Sequence, residues 1–134
     1  REKGTEWVEA KQKSRFSWYR KKKRWETGID AHHWSHYQEV SKLSDAPLWL
    51  LFLHTVKDPW NHDIPYLPST ESFCPVGLFG ISAIKAAKIY RYAPQHAKGM
   101  VYWGHEDLSL LASLEEVQEA DKAIQSEIEQ LSLF

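Results

Sequence analysis

The sequence predicts an α/β domain in which a central mixed β-sheet is flanked by α-helices, and three observations lead to that class. The segment Thr5-Glu-Trp-Val-Glu-Ala-Lys-Gln-Lys13 alternates with the period of a strand. The run Pro47-Leu-Trp-Leu-Leu-Phe-Leu53 is apolar at nearly every position, as a central strand covered on both faces must be. Leu114, Val117, Ala120, Ile124, Ile128 and Leu131 form the stripe of an amphipathic helix. A chain of 134 residues has room for one hydrophobic core, hence a single domain over 1–134.

In the first strand, alternation separates Trp7, Glu9, Lys11 and Lys13 from Val8 and Ala10, so the small apolar pair is expected inward and the charged face outward, carrying chemistry. Ser14 to Trp25 interleaves Phe16, Trp18, Tyr19 and Trp25 with positive charges and reads as a loop or irregular extension. Gly28 interrupts the pattern and Asp30 is an N-cap. Ala31 to Ser44 then forms a helix that Asp45 and Pro47 close, with His33, Tyr37, Val40 and Leu43 or Ser44 on one face. Leu48 to His54 is the buried strand. Thr55 to Pro75, rich in Pro, Asn, Asp and Ser, is a long surface loop. Val76 to Ile84 is a short strand or a turn leading into a helical segment through Tyr92, and the pattern leaves both open. Met100-Val-Tyr-Trp103 is a further strand, and Ser113 with Glu116 makes a capping box ahead of the terminal helix, which is expected to cover the core. Trp7, Trp34, Trp49 and Trp103 are expected in the core.

The formal net charge of −1 says little about partners, but its distribution does. Lys11, Lys13, Arg15, Arg20, Lys21, Lys22, Lys23 and Arg24 cluster near one end, whereas beyond Lys98 the acidic residues outnumber Lys122 by eight to one. One end can meet a polyanion. The lone Cys74 provides no partner for a disulfide, and no apolar run approaches the roughly 20 residues of a membrane span, so a cytoplasmic protein without membrane contact is expected. Because the chain opens on Arg1 rather than Met, it is read as lacking part of its N-terminal region.

Phosphodiester hydrolysis needs an activated water and a place for negative charge to build, and a divalent ion held by carboxylates supplies both. A carboxylate and a lysine two positions apart on a strand point the same way, as Glu9 and Lys11 do. Trp7-Val-Glu-Ala-Lys-Gln-Lys13, followed by Thr27-Gly-Ile-Asp-Ala-His-His-Trp-Ser-His-Tyr37 and the apolar strand to His54, resembles the core of the PD-(D/E)XK nuclease family over the first 55 or so residues. Its phage-type, resolvase-like and RecB-like members are the nearest in pattern. The resemblance implies a restriction-endonuclease-like core and a Mg²⁺- or Mn²⁺-dependent endonuclease acting on DNA, with a homodimer as one expected assembly. It implies that Glu9 and Lys11 are catalytic, that Glu9 and the Ala10 backbone carbonyl hold the metal, and that His33 and Tyr37 face the site. The family's first acid belongs on a preceding strand. Glu6 is too close to Glu9 and on the wrong strand face, so that acid is expected upstream or from another chain.

Lys13, Arg15, Arg20, Lys21, Lys22, Lys23 and Arg24 are the candidate nucleic-acid contacts, with the neighbouring aromatics stacking on bases or packing beneath the loop. His32 and His36 share a helix face in the manner of zinc ligands but have no third partner nearby, and His54 and His62 read as strand-end and loop residues. The alternative function is a non-catalytic nucleic-acid-binding or assembly module with a nuclease-like fold. A protein-interaction domain, with the charge run only a solvated face, is the third.

Overall fold

A computed structural model describes residues 6–132. Eight strands and three helices follow one another: β1 (Trp7–Lys13), β2 (Ser17–Tyr19), β3 (Arg24–Asp30), α1 (Ala31–Ser44), β4 (Leu48–His54), β5 (Gly77–Ser82), α2 (Ala83–Ile89), β6 (Arg91–Ala93), β7 (Met100–Gly104), β8 (Ser109–Ala112) and α3 (Leu114–Ser132). The expected mixed sheet is present, in the order β1-β4-β5-β8, with β1 parallel to β4 and the other pairs antiparallel. A second, antiparallel sheet, β2-β3-β7-β6, packs against it and was not foreseen. One core joins the two. Leu50, Phe52, Phe79 and Ile81 from the mixed sheet meet Trp25, Ile29, Val101 and Trp103 from the antiparallel one. Each such side chain contributes roughly 1.5–3 kcal/mol by leaving water. The helices lie around this pair of sheets, so the α/β class with a mixed, helix-flanked sheet holds at that level.

The Ser14–Trp25 segment is not a loop but half of a hairpin. Trp18 pairs with Trp25 across β2 and β3, the two rings meeting edge to face at 5.1 Å, and Phe16 is fully buried. Burying Phe16, Trp18 and Trp25 outweighs the local excess of charge, which the turn Arg20–Lys23 carries into solvent, with Lys23 in the left-handed region at φ 49°. Gly28 lies within β3 rather than ending a segment. A Cβ there would stand 2.5 Å from the Val101 carbonyl oxygen and 2.6 Å from the Tyr102 ring, so the close approach of β7 requires glycine.

Helix α1 spans the expected residues. Asp30 is its N-cap by position, though its carboxylate makes no capping hydrogen bond, and Asp45 closes it in the left-handed conformation before Pro47. Its inward face is centred on Trp34 and Tyr37, while Leu43 is 87% exposed. Trp34 fits edge to face on Trp103, which in turn donates its indole N–H to the Ala86 carbonyl of α2. The capping box forms in both directions: the Ser113 hydroxyl accepts from the Glu116 N–H and the Glu116 carboxylate from the Ser113 N–H. Helix α3 nevertheless leaves the body after its first turn. Ile124, Ile128 and Leu131 are exposed, so it does not cover the core.

The orientation of β1 is the reverse of that expected. Its register pairs Glu9 with Leu50, Lys11 with Phe52 and Lys13 with His54, all on the buried side of β4, so the charged face continues the core face and Val8 and Ala10 look outward. The register settles this because parallel partners share a face, and β4 has the larger apolar side to bury. Trp7 is accordingly exposed, not core. The outer side of β4, Trp49, Leu51 and Leu53, is only half-buried.

Candidate functional site

Strand β1 lies at the edge of the mixed sheet, where the core face opens to solvent. There the Tyr37 hydroxyl of α1 donates to Glu9 Oε1 at 3.0 Å, and Lys11 Nζ stands 3.6 Å from the same oxygen. Helix α1 connects β3 to β4 across this edge, which brings Tyr37 over β1. The Tyr37 hydroxyl, opposed by partial burial and then reinforced by Glu9, raises the Lys11 pKa above the ordinary lysine value. Lys11 is therefore an ammonium at neutral pH, able to donate to a water or a phosphate oxygen and unable to act as a base. Glu9 and Lys11 both remain accessible, at 36% and 29% of side-chain surface.

His33 is exposed beside this group, its Nδ1 3.9 Å from Asp30 and its ring 6.3 Å from that of Tyr37. The structure thus brings Tyr37 onto Glu9 and leaves His33 one step away. No three of His, Cys, Asp and Glu among the described residues converge to hold an ion, and this covers His32, His33 and His36 as well. Glu9 and the Ala10 carbonyl alone do not fit a divalent cation that takes six or more oxygen ligands.

The basic residues fall into three groups. Arg20, Lys21, Lys22 and Lys23 occupy the exposed hairpin turn, with Arg20 stacked over Tyr66 at 3.6 Å. Arg24 lies along the sheet rather than toward solvent: its Nη2 lies 2.8 Å from Glu26, which is 2% exposed, and its Nη1 is near Glu106 and Asp107. Arg91, clamped between the rings of Tyr19 and Tyr102, binds the other oxygen of Glu26 at 2.6 Å. Lys13 and Arg15 form the third group, half-buried and in no ion pair among the described residues.

Two adjoining cavities share residues of the antiparallel sheet, and the smaller also reaches the end of β1 at Lys13. One, of about 340 Å³, is lined by Lys13, Ser14, Arg15 and Trp60; the other, of about 500 Å³, by Arg20, Lys21, Arg91 and His96; Ser17, Glu26 and Tyr102 belong to both. Sequence reasoning missed Glu26, Arg91 and Tyr102. The alternation in Arg24-Trp-Glu-Thr-Gly-Ile-Asp30 could have revealed the strand and Glu26 on its outer side, but no local signal announces Arg91.

His54 lies wholly in the core, stacked on Phe16 at 3.8 Å, with Nε2 hydrogen-bonded to the Thr27 hydroxyl and Nδ1 unpartnered. Burial, then the charges of Lys13 and His105, lowers its pKa to about 3. Cys74 is buried too, its thiol pushed up to about 11 mainly by burial, which removes it as a nucleophile at neutral pH. His62 stacks on Trp60 beside Asp63. No helix is long and apolar enough to cross a membrane among the described residues.

No protein family, curated protein or solved structure matches the chain.

Proposed function

We propose that the chain carries one part of the active site of a metal-dependent DNA nuclease of the PD-(D/E)XK kind, on a restriction-endonuclease-like core. The observation that supports it is the side-by-side placement of Glu9 and Lys11 at an accessible edge of an otherwise buried face, with Tyr37 orienting the carboxylate. Charged groups at the rim of an apolar face lose hydration, and here the Tyr37 hydroxyl and the Glu9–Lys11 contact offset that loss and hold the two groups in place. In this reading Glu9 is one ligand of Mg²⁺ or Mn²⁺ and a further carboxylate comes from outside residues 6–132. A bound ion would supply charge neutralisation and a more acidic water. Lys11 donates to the phosphate or the attacking water, Tyr37 fixes the Glu9 rotamer, and the Arg20–Lys23 turn meets the DNA backbone. Arg24 is committed to Glu26 and takes no part. The test is cleavage of DNA in Mg²⁺ by the full-length gene product. Glu9→Ala and Lys11→Ala should each abolish it while leaving thermal unfolding in place, and undiminished cleavage by both variants would refute the proposal.

A second reading is a non-catalytic nucleic-acid-binding or assembly module. It is favoured by the lack of a convergent ion-binding set among the described residues. Salt-sensitive DNA binding, with no cleavage in Mg²⁺ or Mn²⁺ by the full-length protein, would select it.

A further inference from the structure

We infer that Lys13 and Arg15, with the Ser14 and Ser17 hydroxyls, form a seat for one phosphate group of a nucleic-acid strand. The inference deepens the nuclease reading and rests on it only for the identity of the ligand; the anion itself is argued from the cleft.

Among the described residues, the other partly buried cations are neutralised. Lys11 has Glu9 at 3.6 Å, Arg24 has Glu26 at 2.8 Å and Arg91 has Glu26 at 2.6 Å. Lys13 and Arg15 break the pattern. Both line the 340 Å³ cleft, and neither forms an ion pair among the described residues. Arg15 spreads its guanidinium over the Trp60 ring at 4.3 Å, which fixes its plane, and its Nε is buried without a hydrogen-bond partner. Glu26 also lines the cleft, yet its two oxygens already receive Arg24 and Arg91. Two half-buried cations left unpaired are costly, and a phosphate, with several strong acceptors and negative charge, removes that cost through charge-assisted hydrogen bonds. Burial and the neighbouring Lys11 hold the Lys13 ammonium below its ordinary pKa, and the Asp30 carboxylate offsets this only in part, so a bound anion would relieve the remainder.

Position adds the link to Glu9 and Lys11. Lys13 stands on the same face of β1, about 6.6 Å along the strand from Lys11, so the seat holds a phosphate adjoining one placed at Lys11. From there the cleft runs past Tyr102 into the larger cavity with Arg20 and Lys21, which gives a bound strand a continuous basic path away from Glu9.

The test is fluorescence anisotropy of a labelled single-stranded oligonucleotide in EDTA, so that no cleavage intervenes. Lys13→Gln and Arg15→Gln should each weaken binding about tenfold or more and flatten the dependence of log affinity on log salt by about 0.7. The charge-keeping Lys13→Arg and the control Lys122→Gln, on the exposed surface of α3, should change it less than about threefold. A loss confined to 5′-phosphorylated oligonucleotide identifies a terminal phosphate, and an equal loss with 5′-hydroxyl ends identifies an internal one; both support the seat. Wild-type affinity in the Lys13→Gln and Arg15→Gln variants, or an equal loss in Lys122→Gln, overturns it. In the unaltered protein the Lys13 side-chain NMR resonances should move on adding the oligonucleotide, and their failure to move also overturns it. Cleavage with no effect of Lys13 or Arg15 on binding would retain the nuclease and discard the seat. Binding through both residues without cleavage would do the reverse.

Discussion

Removing the His54 imidazole should make the fold less sensitive to acid. This ring is 0% exposed, lies against Phe16 and Phe79, and uses one nitrogen on Thr27 while the other has no partner. Burial is the main reason that its pKa falls to about 3, with Lys13 and His105 adding positive charge nearby. In the unfolded chain the ring titrates near 6.5. Between those values the unfolded state carries a proton that the native state refuses, so stability is intact above pH 6.5 and is lost as pH falls toward 3. Each pH unit in that window costs about 1.4 kcal/mol. Going from pH 6.5 to pH 4.5 therefore removes about 2.7 kcal/mol, a large share of the 5–15 kcal/mol typical of a domain. Urea unfolding followed by tryptophan fluorescence at pH 7, 6, 5 and 4.5 measures this. His54→Gln, which can still reach the Thr27 hydroxyl, should lose about 2.7 kcal/mol less over the same range. His105, whose pKa burial also lowers, acts in the same direction in both proteins and cancels from the difference. Parallel stability curves for the two proteins would refute the reasoning.

Three further outcomes follow from the packing. Glu26→Gln leaves Arg24 and Arg91 facing each other without their shared carboxylate and should cost about 3–5 kcal/mol in denaturant unfolding; a loss below about 1 kcal/mol would mean that the pair is not desolvated. Gly28→Ala forces a methyl against the Val101 carbonyl and the Tyr102 ring and should destabilise by at least about 1–3 kcal/mol, with the Tyr102 and His96 ring resonances displaced in NMR spectra. Ser113→Ala removes the cap of α3 and should lower the helical signal by an amount consistent with about 1 kcal/mol of helix stability, while the unfolding midpoint of the core stays put.

The elements that the sequence disclosed were those whose pattern is local. Helix α1 announced itself by Asp30, its length and the Asp45–Pro47 stop, and β4 by an apolar run flanked by breakers. The hairpin of β2 and β3 was hidden because its outer positions carry charges that belong to distant partners: Glu26 is satisfied by Arg91, 65 residues away. The facing of β1 was misjudged for a related reason. Alternation separates two faces without saying which is inward, and here register with β4 decided it. Glu9 and Lys11 were legible as a pair, and so was Tyr37 as their neighbour. That Lys13 and Arg15 have no ion pair among the described residues while Arg24 does could be learned only from the side chains across the fold.

Helix α3 has a consequence for how this protein will be seen to unfold. It contains 19 of the residues in helices, against 14 in α1 and 7 in α2, so it dominates far-ultraviolet ellipticity. All seven tryptophans lie outside it. With Ile124, Ile128 and Leu131 exposed along most of its length, it should melt early and gradually, as isolated helices of this size do in water. Fluorescence will be blind to that loss and report only the joined sheets. The two signals should therefore give different midpoints, and their disagreement will record a helix detached from the cooperative unit rather than a folding intermediate.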